Sequence, residues 1–204
     1  MILKVVRFIN KLKNASTTIL MRIYCFLIGA KLGAGVRFKG VSSLNKLKSA
    51  KIIIGKNTII NSNNFGYHLN MFTKCKLLAD KPNSIIKIGD NCRIHATCIH
   101  AFTEITIGNR VLIAANTQII DGNGHMISME NPENRINTVD EGKPIYIQDD
   151  VWIGTNVVVL GGVVIGQGAV ISANTLVNKD VPPYSLVGGN PMVTYKNYRE
   201  SNKS

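Results

Sequence analysis

The chain has 204 residues, enough for one domain with a substantial core, and no second domain is needed to account for it. Its 24 Lys and Arg against 12 Asp and Glu give a formal charge of +12, yet aromatic residues are sparse and no zinc finger or RNP box occurs, so nucleic acid is set aside as a partner. Cys25, Cys75, Cys92 and Cys98 form neither a CxxC pair nor a zinc-like spacing, which excludes a disulfide framework and a structural zinc site and fits a reduced, cytoplasmic setting.

The charge is unevenly placed: residues 1–79 hold 14 Lys or Arg and no Asp or Glu. Such a segment attracts an anionic surface or an acidic glycan. Ile2, Val5, Val6, Ile9 and Leu12 recur at helical spacing among Lys4, Arg7, Lys11 and Lys13, predicting a basic amphipathic helix. An apolar stretch from Ile19 to Ala30 follows. Arg22 interrupts it, and it is shorter than the roughly 20 residues of a bilayer span, so it is not read as transmembrane. A secretory leader also fits poorly, because Lys11, Lys13 and Asn14 separate the basic start from the apolar run. Residues 1–49 are therefore expected to form a basic, partly helical segment. Residues 1–30 could either cap the core or lie on a membrane face.

From residue 147 an aliphatic residue returns at every sixth position: Ile147, Ile153, Val159, Ile165, Ile171 and Val177. Four positions after each stands Val151, Val157, Val163, Ala169, Thr175 or Val181. No helix has this period, and an alternating sandwich strand has period two. Three short strands joined by tight bends produce it, each hexapeptide forming one face of a triangular coil. The beat recurs upstream at Ile54-Gly55, Ile88-Gly89, Ile94, Ile107-Gly108, Ile113 and Ile119, with one slip between Ile94 and Ile107. The predicted fold is an all-β solenoid, a parallel β-helix over residues 50–190, followed by a tail at 191–204.

Between Ile119 and Ile147 the beat is lost, and this stretch opens with Asp121-Gly122-Asn123-Gly124-His125. A long loop leaving a rigid solenoid, here 121–146, is where a site is expected. With its repeats, its GKPIYIQDDVWIG segment at 142–154 and its NKDVPPYSLVGGNP segment at 178–191, the chain resembles the hexapeptide-repeat acyltransferases, most closely the galactoside, maltose and polysaccharide O-acetyltransferases. That resemblance implies a left-handed β-helix, acetyl-CoA as co-substrate with no metal required, a sugar or glycan acceptor, and a homotrimer with sites between adjacent subunits.

It also implies roles for particular residues. His125 matches the general base, which removes the hydroxyl proton as the hydroxyl attacks a thioester, and an imidazole with an ordinary pKa of about 6.5 is available for this at neutral pH. Asp121 and Asp140 are candidates to orient it, and each is equally well explained as a solvated loop acid. Trp152 matches the tryptophan beside the pantetheine arm. Thr155, Ala173, Asn178 and Lys179 match coenzyme A contacts, and Lys196 is a displaced substitute for a basic residue that relatives carry after Gly-Asn-Pro. His95 stands where relatives place an acceptor-contacting Asn, and Asn123 joins it as an acceptor residue. Backbone amides near Trp152–Gly154 are the expected oxyanion donors.

Three alternatives have their own signatures. The spacing of His95 and His100 resembles that of a gamma-type carbonic anhydrase, whose zinc would need histidines from neighbouring subunits. A non-catalytic scaffold would bind no coenzyme A. An acetyltransferase for an antibiotic would keep the chemistry and change the acceptor.

Overall fold

The computed structural model describes residues 2–199; Met1 and residues 200–204, at the ends of the N-terminal segment and the tail, lie outside the described residues. One helix, α1 (Ile2–Leu27), takes in both the basic amphipathic stretch and most of the apolar stretch after it. It is followed by a coil of three-stranded turns. The first turn comprises β1 (Lys31–Leu32), β2 (Arg37–Lys39) and β3 (Ser43–Lys46); the second comprises β4 (Lys51–Ile54), β5 (Ile59–Asn61) and β6 (Lys76–Ala79). Next come β7 (Ile85–Ile88), β8 (Arg93–His95) and β9 (Cys98–His100), then β10 (Glu104–Ile107), β11 (Leu112–Ile113) and β12 (Gln118–Ile120). After a long loop containing a short 3-10 helix (Pro132–Asn137) the coil resumes with β13 (Ile145–Ile147), β14 (Trp152–Ile153) and β15 (Val158–Leu160). It closes with β16 (Val164–Ile165), β17 (Val170–Ile171), β18 (Leu176–Val177), β19 (Ser185–Gly188) and β20 (Val193–Asn197).

Strands three apart in this order pair in parallel, with β19 pairing β17 at the C-terminal end, giving three faces: β1-β4-β7-β10-β13-β16, β2-β5-β8-β11-β14-β17-β19, and β3-β6-β9-β12-β15-β18. Only β20 runs antiparallel, against β19, and it finishes the C-terminal end of the second face. On each face inward side chains, one per strand on the second face and two on most strands of the first, stack on their counterparts a turn away. In the second face these are Phe38, Ile60, Ile94, Ile113, Ile153, Ile171 and Val187, all buried. A two-residue strand has no stability alone. Stacking turns the short ladders into one continuous core.

The corners explain the Ile-Gly-x-x rhythm. One corner position adopts the left-handed conformation in every turn, and it is Gly35, Asn57, Asn91, Arg110, Asp150, Gly168 and then Tyr184. Gly and Asn enter that region at little cost, which is why they dominate the column. Two residues earlier most turns carry glycine where they pack closely, and a Cβ on Gly89 would lie 2.4 Å from the Gly108 carbonyl. Between these positions, side chains bind the neighbouring turn: Asp90 accepts the Lys56 amide, Asn109 the Asp90 amide and Asp149 the Asn109 amide, at 2.7–2.8 Å.

The ladders begin at Lys31, well before the rhythm becomes legible at Ile54. The C-terminal half of α1 covers the open end of this first turn: Met21 and Cys25 are buried, Thr18 exchanges hydrogen bonds with the Phe38 backbone, and Tyr24 donates to the Leu44 carbonyl. The other side of α1 leaves Ile9, Leu12, Ile19, Ile23 and Phe26 exposed. Among the described residues no helix is long and apolar enough to cross a membrane.

Candidate active site

The outward positions of the second face form a line that crosses the strands: Arg37, Ile59, Arg93, Leu112, Trp152, Val170 and Leu186. Alternation along each strand turns these side chains out because Phe38, Ile94, Ile113 and Ile153 turn in. A groove of about 990 Å³ follows this line. Its upper half is apolar, with Leu112, Trp152, Val170, Ala173 and Leu186, while its lower half carries Arg37, Lys39, His68, Arg93 and His95.

A loop over residues 62–75, which leaves the coil after β5, bends back over the lower half. Tyr67 stacks on His95 with ring centroids 4.4 Å apart, and His68 tilts against Tyr67. Asn116 pins the loop by donating to the Asn70 carbonyl and accepting the Phe72 amide, both at 3.0 Å. Asn63 ties the loop's start to Asn10 and Asn14 of α1.

The tautomer of His95 follows from its neighbours. Buried Asn61 accepts the Asn63 amide through Oδ1, so its Nδ2 faces His95 Nδ1 at 3.0 Å and donates to it. His95 Nε2 then carries the proton. Burial, and after it the charges of neighbours led by Lys39, lower the His95 pKa from 6.5 to about 4, so the ring is neutral at pH 7 and donates a single hydrogen bond.

His125 lies elsewhere. It is exposed on the long loop and does not line the groove of its own chain. Its Nδ1 is 3.1 Å from the Thr138 carbonyl, which can only accept, so Nδ1 donates and Nε2 is left to take a proton. Thr138 is itself held, with Oγ1 donating to the Arg135 carbonyl and accepting the Met126 amide. Neither candidate acid orients the ring. Asp121 is buried and binds the Phe102 amide and the amide and hydroxyl of Thr103, tying the loop's root to the turn below. Asp140 accepts the Asn123 amide at 2.6 Å and closes the loop's neck. Asp121 has both oxygens engaged by these donors, and Asp140 has one held by the Asn123 amide.

Of the other expected residues, Trp152, Thr155, Ala173 and His95 meet in the groove. Thr155 donates to the Ala115 carbonyl. Asn178 and Lys179 are exposed beyond β18 and do not line the groove. Lys196 sits on β20 over the Tyr198 ring. The Trp152 and Gly154 amides already donate to the Ala169 and Ile171 carbonyls, so neither is free as an oxyanion donor. His100 belongs to another face than His95 and bonds Asp80 at 2.9 Å. Among the described residues no cluster of three or more metal-ligating side chains occurs. The sequence offers no sign of Tyr67. Arg37 and Lys39 could be placed only by extending the repeat below Ile54.

Residues 144–179 match the bacterial transferase hexapeptide family of six repeats, and residues 85–120 match the hexapeptide repeat of succinyl-transferase. The chain is 32% identical to the chloramphenicol acetyltransferase of Agrobacterium fabrum over 78% of its own length and 73% of that protein. It is 36% identical to the Escherichia coli galactoside O-acetyltransferase over 59% and 58%. The solved hexapeptide-repeat acetyltransferase of Vibrio cholerae in complex with acetyl coenzyme A is 30% identical, with a TM-score of 0.54 over 85% of this chain and 73% of that one. The chain therefore belongs to the hexapeptide-repeat acetyltransferases, and its coil is the left-handed parallel β-helix of that family. Several of the curated relatives are matched over only about half their length.

Proposed function

We propose that this protein transfers an acetyl group from acetyl coenzyme A to a sugar hydroxyl, with His125 as general base and no metal. The observation that carries the reading is the groove itself, an apolar half around Trp152, Thr155 and Ala173 joined to a polar half around His95 and Tyr67. An indole and small side chains suit a pantetheine arm. A neutral imidazole donor stacked on a phenol suits a hydroxylated acceptor. The likeness to a solved relative complexed with acetyl coenzyme A supports the donor, and the galactoside O-acetyltransferase relative supports the acceptor class.

In the step itself, Nε2 of His125 takes the proton of the acceptor hydroxyl as its oxygen bonds to the thioester carbonyl carbon. The C–S bond then breaks and the departing thiolate recovers a proton from the imidazolium, so no acyl-enzyme forms. Because His125 does not line its own groove, the working assembly is a homotrimer in which the 121–144 loop of one subunit reaches the groove of the next. The exposed Ile127, Met129, Ile136 and Val139 on that loop support this, since apolar side chains of this number gain by burial against a neighbour. Light scattering of the purified protein reads the stoichiometry directly.

The acceptor belongs to polysaccharide assembly at the inner face of a membrane. The support is α1, whose apolar face is exposed beside Lys4, Arg7, Lys11 and Lys13. Sedimentation with anionic vesicles at rising salt tests it, and failure to sediment at any salt would remove the membrane from the account. A second reading, an antibiotic acceptor, is favoured by the chloramphenicol acetyltransferase relative. An acetyl coenzyme A consumption screen over glycans, nucleotide sugars and chloramphenicol, with His125→Ala as control, separates the two. No turnover with any hydroxyl acceptor would end both.

A further inference from the structure

The lower half of the groove holds three cations and no acid. Arg37 and Arg93 lie on the same line two strands apart, roughly 10 Å at the usual strand spacing, and Lys39 lies on the adjacent line with Asn61 and His95. None of the three has an ion-pair partner among the described residues, whereas Arg110, outside the groove, bonds both Asp149 and Asp150. No Asp or Glu lines the groove at all. Like charges converging on a partly buried histidine raise the energy of the folded chain unless an anion relieves them. The arrangement is therefore that of a ligand site more than of a solvated face.

Position says which ligand. The cations stand at the end of the groove nearest α1, and the apolar half where a pantetheine fits stands at the other end, beginning with Leu112 and Trp152. A coenzyme lying in the apolar half leaves the cationic half to the second substrate. We propose that the acceptor carries a phosphate or diphosphate next to its sugar, held by Arg37, Lys39 and Arg93 while the sugar rests between His95 and Trp152. The acceptor role rests on the acetyl-transfer reading; the phosphate site does not need it. Two sources share this chemistry, a nucleoside diphosphate sugar and a sugar diphosphate on a lipid, and the exposed apolar face of α1 lies at the same end of the coil.

Trp152 is the only tryptophan and lines the groove, so its fluorescence reports occupancy. Full-length protein saturated with coenzyme A is titrated with inorganic pyrophosphate, UDP-glucose, a prenyl diphosphoglucose in neutral micelles, and glucose. The expected result is saturable binding of the three phosphate-bearing probes and at least about tenfold weaker binding of glucose, with Arg37→Gln/Arg93→Gln erasing most of that difference. Arg110→Gln, which alters a cation outside the groove, should leave it unchanged. Tighter binding of the prenyl probe than of UDP-glucose would assign the lipid source, and the reverse the nucleotide source.

Absence of phosphate binding overturns the proposal, as does binding that survives the double substitution. So does pyrophosphate binding seen only without coenzyme A, which would give the cations to the coenzyme's own phosphates. Binding without acetyl transfer to any acceptor would keep the phosphate site and overturn the transfer reading instead.

Discussion

Two loops leave the solenoid, and they end in opposite ways. Residues 62–75 fold back onto their own chain, pinned by Asn116 and Asn63, and deliver Tyr67 to His95. Residues 121–144 are closed at the neck by Asp121 and Asp140, but beyond it they stand exposed, with His125 just past the neck and Ile127, Met129 and Ile136 uncovered. The first loop completes a site within one protomer. In the proposed mechanism the second carries the base to the groove of a neighbouring subunit, which divides the machinery into a cis half and a trans half.

The largest effect is expected where the second loop is proposed to do chemistry. His125→Ala should lower turnover by about a hundred- to ten-thousandfold with acetyl coenzyme A binding intact, measured by steady-state kinetics and by titration of the coenzyme. Normal turnover would take the trans half out of the mechanism. Ile127→Asp together with Ile136→Asp should convert the assembly to inactive but folded monomers, seen as a fall in mass by light scattering with unchanged circular dichroism. An unchanged mass would mean that this loop makes no subunit contact.

Beneath both loops lies the common core. Ile113→Ala, in a buried stack between Ile94 and Ile153, should cost about 2–5 kcal/mol in denaturant unfolding, because the solenoid cannot close around the cavity. Asn116→Gly keeps the left-handed backbone at that residue, whose φ is 66°, while releasing the cis loop. Acceptor KM should rise about tenfold, with kcat and the KM for acetyl coenzyme A nearly unchanged.

The smallest effect is a pH slope. His95, facing Lys39, His68, Arg93 and Tyr67, has a folded pKa of about 4 against 6.5, so below pH 6.5 the unfolded chain takes up a proton that the folded chain refuses. Its contribution is whole above pH 6.5 and is lost progressively as pH falls toward 4. His95→Asn should flatten that part of the stability curve in urea unfolding between pH 7 and 4.5.

Much of the coil was readable because one residue per hexapeptide must stack and the chain must turn a corner after it. Ile147 through Val177 obey that rule without interruption, and Trp152 turns outward because Ile153 takes the inward place, whereas Thr155 and Ala173 came from the family resemblance. The first two turns were obscured for specific reasons. Phe38 takes an aliphatic position in the stack, and the loop at 62–75 splits the second turn between β5 and β6. With the register hidden, Arg37 and Lys39 could not be aligned with Arg93 and His95.

The repeat period alone determined a three-sided parallel coil, because six-residue stacking satisfies backbone pairing and apolar burial together in no other simple way. It also marked His125 as a loop residue. Only the tertiary structure decided what orients the two imidazoles, a Thr138 carbonyl and an Asn61 amide, since hydrogen-bond partners 13 and 34 residues away depend on how turns stack and where a loop's neck closes. The same stacking gathered three cations, from the first and third turns of the coil, into one half of the groove.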